Sequence, residues 1–250
     1  MDNCAYIREN RIMETIIRWI LSHNIVIFAV LIFIAIIFWL LRFENKLKIN
    51  IPEASLVSLL HVVIGWTCMR FLAIVEAGFD LEKAANIRLY GAIFALPFLY
   101  YAWAKKTNRS IPLVMDISAI CVICGAIGGR FNCLTKGCCD GIPFFFNEAY
   151  RWPLRQIELA FYAIFIIYYF RKIGTAKTYG QVYPIYLISY GLLRFICEFV
   201  RKEYTTQIGI FHIAQIWSLI AIAVGVVWLY EVNKKYHSGV IHRKLSNHDK

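Results

Sequence analysis

Long apolar runs are the feature that most limits what this chain can fold into. Seven segments of roughly 18 to 26 residues are mainly apolar, close to the ~20 residues with which a helix crosses a hydrocarbon core. They lie near 17–41, 53–76, 88–104, 112–130, 154–171, 182–200 and 212–231. Since 60% of the residues are hydrophobic and only 17% are charged, against about a quarter in soluble proteins, we predict an all-α polytopic membrane protein with seven transmembrane helices.

The net charge of +11 fits the same class. In membrane proteins Lys and Arg gather beside the spans and set the topology, so we expect contact with anionic lipid headgroups and no nucleic-acid partner. These residues are densest in segments 42–50, 105–110, 171–181 and 232–250. The positive-inside rule therefore predicts a cytoplasmic C-terminus and an N-terminus outside. We expect one membrane domain, residues 1–231, followed by a polar cytoplasmic tail, 232–250.

Prolines mark several of the predicted helices. Pro52, Pro112, Pro153 and Pro184 fall in the first turn of a span, where the missing N–H has no partner to lose. Pro97 lies inside the third span, where it removes a backbone hydrogen bond and is expected to bend the helix.

The sixth span carries the richest set of polar residues. Its polar positions recur at i, i+4, i+7, i+8 and i+11 and so share one helical face: Tyr190, Arg194, Cys197, Glu198 and Arg201. One interpretation is an internal ion pair between Arg194 and Glu198 that joins helices. However, one carboxylate cannot neutralise two guanidinium groups. The face therefore keeps a positive surplus, which favours an anionic ligand.

A glycine-rich segment, 128–143, is the second candidate. Its glycines at 128, 129, 137 and 141 permit turns and close approach of the backbone. Irregular backbone near membrane depth is tolerated where it lines a cavity or is packed in protein, so a loop carrying Arg130 is either a plain re-entrant loop or a binding site. Arg130 and Arg194 could hold a phosphate in forked geometry. In a membrane the abundant phosphate is a phospholipid headgroup.

These motifs resemble those of the prolipoprotein diacylglyceryl transferases over roughly residues 16–232. The family's signature loop is matched in register at Gly129, Arg130, Gly137, Gly141 and Pro143. Its sixth-span pattern is matched at every position, by Tyr190, Gly191, Arg194, Phe195, Glu198 and Arg201. Segments 65–71, 153–158 and 214–218 are similar to further family elements in the same order, and they contain Arg70, Glu158 and Gln215.

The resemblance implies a seven-span enzyme of the plasma membrane that needs no metal or organic cofactor. It would move a diacylglyceryl group from phosphatidylglycerol to the cysteine thiol of a lipoprotein signal peptide. Its partners would be phosphatidylglycerol, that signal peptide and membrane lipids. Such a reaction needs fixed donors for the leaving phosphate and an acceptor for the thiol proton. The implied catalytic residues are Arg130, Arg194 and Tyr90.

Other residues are expected to bind substrate. They are Arg70, Gly129, Cys133, Gly137, Gly141, Glu158, Tyr190, Glu198, Arg201 and Gln215. The chain departs from the family at several places, among them Lys136, Cys138 and Ile142 in the loop, and two departures fall on positions that are catalytically important in the family. Tyr90-Gly91-Ala92 stands where the family has His-Gly-Gly, and Cys133 stands where the family has a loop asparagine. A divergent branch with Gly-Cys-Cys-x-Gly in this loop resembles the chain better than the main enzymes do.

The eight cysteines leave other functions open. They are Cys4, Cys68, Cys121, Cys124, Cys133, Cys138, Cys139 and Cys197. A Cys-x-x-Cys pair inside the fourth span with three cysteines beyond it permits a membrane thiol–disulfide oxidoreductase. The same cysteines formally permit a zinc site. A non-enzymatic phospholipid-binding or transport protein would also keep the arginine-rich face.

Overall fold

The computed structural model describes residues 24–80, 87–137, 139–144, 147–170, 179–201, 207–208 and 210–237. Within these residues, seven long helices and one short one follow each other along the chain. They are α1 (Asn24–Arg42), α2 (Glu44–Leu47), α3 (Ile51–Glu76), α4 (Leu89–Lys106), α5 (Ile111–Lys136), α6 (Leu154–Phe170), α7 (Val182–Glu198) and α8 (Ile213–His237). Two short antiparallel strand pairs are β1 (Pro143–Phe144) with β2 (Asn147–Arg151) and β3 (Gln207–Ile208) with β4 (Phe211–His212).

The prediction of a helical protein is confirmed, and each long helix overlaps one predicted apolar segment. By length and composition, three of the described helices could cross a membrane, over Ile51–Glu76, Ile111–Thr135 and Ile213–Lys235. Helix α8 continues to His237, so it extends past residue 232, the expected start of the tail. Residues 238–250 of that tail and the predicted start of the first span, near 17, lie outside the described residues.

Local sequence explains where the helices begin. Pro52 and Pro112 are the second residues of α3 and α5, in the first turn as predicted. The side chain of Asn50 accepts a hydrogen bond of 3.0 Å from the N–H of Glu53 and so caps α3. Helix α7 is capped from a distance, because buried Asp116 of α5 accepts hydrogen bonds from the N–H groups of Gly180 and Val182, at 2.6 and 2.8 Å.

Helix α5 is the centre of the bundle. It packs against α1, α4, α6 and α7, and 72% of its apolar stretch is buried, against 28% for α3 and for α8. Helix α7 packs most extensively on α8. A Cβ at Gly191 would lie 2.9 Å from the carbonyl oxygen of Ser218, so glycine lets these two backbones touch, as small residues commonly do between membrane helices.

The proline within α4 is compensated by a tyrosine from another helix. Pro97 has no N–H to donate to the carbonyl of Ile93, four residues earlier. The hydroxyl of Tyr183, on α7, donates to that carbonyl oxygen at 2.7 Å. An unsatisfied carbonyl would be costly at this buried position. The hydrogen bond therefore stabilises α4 at Pro97 and ties α4 to α7.

At one end of the bundle, all three guanidinium nitrogens of Arg109 donate hydrogen bonds. Arg109, just after α4, pairs with the carboxylate of Glu53 through two nitrogens and also donates to the carbonyl oxygens of Leu47 and Lys48. The indole N–H of Trp103 donates to the same carboxylate at 2.9 Å. These contacts join the connections before α3 and after α4 into one network, which we call the Glu53–Arg109 network.

Candidate active site

Three helices bring buried charges together at the opposite end of the bundle. Arg130 comes from the last two turns of α5, Glu158 from the first turns of α6, and Arg194 and Glu198 from the end of α7, with Arg201 three residues later. Glu158 and Glu198 are fully buried, and Arg194 and Arg201 are each 7% exposed. We call these five residues the arginine cluster.

Glu158 is the hub of the arginine cluster. Its carboxylate pairs with Arg130 and lies 4.0 Å from Nη1 of Arg194 and 3.7 Å from Nη2 of Arg201. Glu198 adds a second bridge, 3.0 Å from Nη2 of Arg194 and 3.7 Å from Nε of Arg201. The predicted pair of Arg194 and Glu198 therefore exists, but as part of a larger network.

The arginine cluster has unused donors and an excess of positive charge. Three guanidinium groups face two carboxylates, which leaves one positive charge. Nη1 of Arg194 and both Nε and Nη2 of Arg201 are buried and make no hydrogen bond with any residue that the structure describes. Burial, together with the guanidinium groups of Arg194 and Arg130, lowers the pKa of Arg201. Such a site can bind an anion with several oxygens, as phosphate has.

The prediction that Arg130 lies in an irregular glycine-rich loop is wrong. Helix α5 continues through Gly128, Gly129 and Arg130 to Lys136, because a helix satisfies its own backbone groups at membrane depth. It ends where Gly137 adopts a left-handed conformation, with φ of 65°.

The predicted turn does occur beyond Gly137, and it touches the arginine cluster. A Cβ at Gly141 would lie 2.4 Å from the Cβ of Trp152, so this position requires glycine. Gly141 also pairs with Arg201 in an antiparallel bridge, and the N–H of Ile142 donates to the carbonyl oxygen of Val200 at 2.9 Å. The turn after α5 thereby fixes the backbone that carries Arg201.

Tyrosines extend the site toward the middle of the bundle. Tyr90 and Tyr190 are buried with ring centroids 5.6 Å apart. The hydroxyl of Tyr90 lies 2.7 Å from Oγ of Ser218, which itself donates to the carbonyl oxygen of Ala214. Because the single hydroxyl proton of Ser218 is used in that bond, Tyr90 donates to Ser218. Its oxygen can still accept a hydrogen bond.

The remaining predicted residues are spread around this end of the bundle. Gln215 is buried, and its Oε1 accepts from the N–H of His212 at 3.0 Å. Gly129 faces open space. Cys133 lies in the last turn of α5. Arg70 lies on α3.

Two buried tyrosines were missed by the sequence reasoning. The hydroxyls of Tyr162 and Tyr186 are buried and make no hydrogen bond with the described residues. Both rings stack on Tyr190, at centroid distances of 6.2 and 5.7 Å. Helical spacing could have found them, because Tyr162 follows Glu158 by four residues and Tyr186 precedes Tyr190 by four.

The structure separates the cysteines inside α5 from the cysteine in its last turn. Cys124 and Cys133 are nine residues apart on α5, or about 13 Å along its axis, too far for direct thiol exchange. No group of three or more His, Cys, Asp or Glu side chains suited to a metal ion occurs in the described part of the chain. Cys4 and Cys138 lie outside that part.

The fold and the site define a class of helical protein with apolar, membrane-length helices and a buried cluster of arginines and carboxylates. A model of the prolipoprotein diacylglyceryl transferase family matches residues 15–231. The chain therefore belongs to the prolipoprotein diacylglyceryl transferase family.

Individual relatives are distant. The chain is similar to proteins named phosphatidylglycerol–prolipoprotein diacylglyceryl transferase from three bacteria. The Clostridium tetani protein is 28% identical over 154 residues, which cover 55% of this chain and 61% of the relative. The Campylobacter lari protein is 31% identical over 151 residues, 55% and 54% of the two chains. The Vibrio cholerae protein is 29% identical over 211 residues, 73% and 76%. The matches thus span less than two thirds of the first two relatives.

Proposed function

We propose that the protein transfers a diacylglyceryl group from phosphatidylglycerol to the cysteine thiol of a prolipoprotein, in the plasma membrane. The observation that carries the proposal is the arginine cluster, with its surplus charge and its buried unused donors beside an apolar bundle. Membership of the family and the names of the relatives support the same reaction.

In this reaction the sulfur of the acceptor cysteine attacks the lipid's glycerol carbon next to the phosphate. A carbon–sulfur bond forms, the carbon–oxygen bond to phosphate breaks, and glycerol phosphate leaves. Arg130 and Arg194 are the residues we assign to the phosphate, since fixed guanidinium donors stabilise the charge that develops on the leaving oxygen. Arg201 supplies further donors, and Glu158 and Glu198 hold the three arginines in place.

The acceptor thiol must also lose a proton. The hydroxyl oxygen of Tyr90 still has lone pairs for a hydrogen bond from that thiol, and positive charge nearby favours the thiolate over the thiol. We therefore propose that Tyr90 orients the thiol, that the arginine cluster stabilises the thiolate, and that the thiol proton ends on the released glycerol phosphate. Tyr190, Gln215 and the turn through Gly137 and Gly141 would shape the cleft for both substrates.

We further propose that all seven long helices cross the membrane, with the N-terminus outside and the C-terminus in the cytoplasm. Large apolar side chains also point outward from three other long helices, with Phe98 on α4, Ile167 on α6 and Ile196 on α7 each 64 to 75% exposed. Lipid contact accounts for such faces. A fluorescent protein that folds only in the cytoplasm should fluoresce when it is fused after residue 106. The same protein fused after residue 151 should be exported and should not fluoresce. The reverse result would invert the orientation.

Mass analysis of an acceptor peptide tests the proposed activity. The purified protein in detergent receives phosphatidylglycerol and a synthetic signal peptide with one cysteine. We expect the peptide to gain one diacylglyceryl group while an equal amount of glycerol phosphate is released. A peptide with serine in place of cysteine is the matched control and should gain nothing. Lipid binding without any change in peptide mass would favour a lipid-binding protein instead.

A further inference from the structure

The turn after α5 holds two cysteines that the proposed transfer does not use. The Sγ atoms of Cys133 and Cys139 lie 3.9 Å apart. Cys133 is in the last turn of α5, and Cys139 has φ of 65°, a left-handed conformation that residues with a Cβ rarely adopt. Both side chains are partly buried. The backbone here folds back and brings the second sulfur to the first.

Arg155 holds this turn from both sides. Its Nη1 donates to the carbonyl oxygen of Cys133 at 3.1 Å, and its Nη2 pairs with the carboxylate of Asp140. The N–H of Gly137 also donates to the carbonyl oxygen of Cys133. Contacts before and after the two cysteines therefore keep their sulfurs close. A disulfide, with its sulfur–sulfur bond of about 2.05 Å, requires a movement of only about 2 Å.

We propose that Cys133 and Cys139 are a thiol–disulfide exchange site that takes small disulfides as oxidants. The thiolate of Cys139 attacks one sulfur of the oxidant and forms a mixed disulfide, while the first small thiol leaves. The thiolate of Cys133 then attacks the sulfur of Cys139, and the second small thiol leaves. The two cysteine protons end on the two released thiols, the oxidant is reduced, and the pair is oxidised.

The order of attack follows from the position of the two thiols. Cys133 lies at the carbonyl end of α5, where the helix dipole disfavours a thiolate. Cys139 lies beyond that end. Cys139 is therefore the first nucleophile and Cys133 the resolving thiol.

Oxidation of this pair acts on the arginine cluster through the backbone. Gly141, two residues after Cys139, is bridged to Arg201, and Cys133 lies three residues after Arg130 on α5. Drawing the two sulfurs together shifts the segment between these arginines. This step rests on the proposed function, and we expect the oxidised protein to transfer lipid at least tenfold more slowly, with recovery after reduction by a dithiol.

Peptide mapping tests the pair directly. The reduced full-length protein in detergent is treated with oxidised glutathione, unreacted thiols are alkylated, and disulfide-linked peptides are identified by mass. We expect a link between Cys133 and Cys139 in the wild type and in Cys138→Ser, which is the matched control because its serine lies between the two. Cys139→Ser should give no intrachain link. In the wild type, a disulfide from Cys138 to Cys133 or Cys139, or the absence of any disulfide, would overturn the proposal.

Transfer assays test the consequence. Glutathione oxidation should slow the wild type and Cys138→Ser and leave the rate of Cys139→Ser unchanged. Equal rates before and after complete oxidation of the wild type would overturn the coupling to the arginine cluster. If the reduced protein transfers no lipid, the proposed transferase function fails, while the peptide map still decides whether the exchange site exists.

Discussion

The two ends of the helical bundle both carry arginine–carboxylate pairs, but the pairs are arranged differently. In the Glu53–Arg109 network, one guanidinium group meets one carboxylate, and three of its nitrogens donate hydrogen bonds. In the arginine cluster, three guanidinium groups share two carboxylates, several pairs are 3.7 to 4.0 Å apart, and three nitrogens make no hydrogen bond with the described residues.

This difference is the one we expect between a structural ion pair and the proposed binding site. A closed network gains its hydrogen bonds on folding and has no capacity left for a ligand. An open cluster keeps desolvated donors that an incoming anion could satisfy, at a cost in the free energy of folding. Equivalent substitutions should therefore lower both lipid transfer and stability at the arginine cluster, but stability alone in the Glu53–Arg109 network.

Removing one carboxylate charge should affect stability most at the arginine cluster. Glu198→Gln leaves three guanidinium groups with Glu158 alone, and breaking a buried pair costs about 3–5 kcal/mol. Glu53→Gln should cost less, because Arg109 keeps the carbonyl oxygens of Leu47 and Lys48 and the Glu53 side chain is 25% exposed. Thermal unfolding in detergent measures both. Equal unfolding temperatures for Glu198→Gln and Glu53→Gln would contradict the view that the carboxylates of the arginine cluster matter more for stability than Glu53 does.

Replacing arginine by lysine should separate activity from stability. Arg194→Lys and Arg130→Lys keep a positive charge but lose the fork of donors, and we expect each to lower kcat by about 100-fold or more while the protein still inserts. Arg109→Lys is the matched control, in which insertion and kcat stay close to the wild type but the unfolding temperature falls. Normal lipid transfer by both cluster variants would rule out the phosphate clamp.

The sequence predicted the helices well for a simple reason. A membrane-length apolar run has few alternatives to a helix, because unpaired backbone groups are too costly in hydrocarbon. The same rule explains the error at Arg130, where glycines suggested a loop although the helix continues to Lys136. Glycine weakens a helix by about 1 kcal/mol per residue, which is less than the cost of leaving backbone groups unsatisfied.

The sequence predicted which site residues share a face of one helix, but not which residues meet between helices. Helical spacing placed Arg194 and Glu198 on one face, and the structure bears this out. Nothing in spacing alone shows that Glu158 of α6 is the hub that meets arginines from α5 and α7, since that contact depends on how helices pack. The link from Tyr183 to the carbonyl of Ile93 is equally a tertiary contact.

Two tyrosines on one helix provide a test of hydrogen-bond satisfaction. Tyr183→Phe removes the donor to the carbonyl of Ile93 and should destabilise the protein by about 1–3 kcal/mol. Tyr186→Phe removes a buried hydroxyl that makes no hydrogen bond with the described residues, so stability should be unchanged or slightly higher. Unfolding in detergent distinguishes them. A larger loss for Tyr186→Phe would mean that its hydroxyl has a structural role.

The smallest effect is expected from the cysteines beside the arginine cluster. Replacing Cys133, Cys138 and Cys139 together by serine should leave lipid transfer within about tenfold of the wild type, at most about 1.4 kcal/mol in the barrier. The attacking sulfur in the proposed reaction belongs to the acceptor peptide, so these thiols are not consumed in it. Serine is similar in size to cysteine, although buried hydroxyls need partners and some loss of stability is expected.

The same triple variant separates transfer from redox catalysis. An oxidoreductase would lose all activity, because serine hydroxyls cannot attack a disulfide. The assay therefore compares lipid transfer in the wild type and the variant under a dithiol reductant, where the Cys133–Cys139 pair is open in the wild type. Under these conditions the two rates should be similar. If the variant inserts normally but loses all transfer activity, one of these thiols takes part in the chemistry. The proposal that the arginine cluster is the reactive site and the turn after α5 only its redox control would then be wrong.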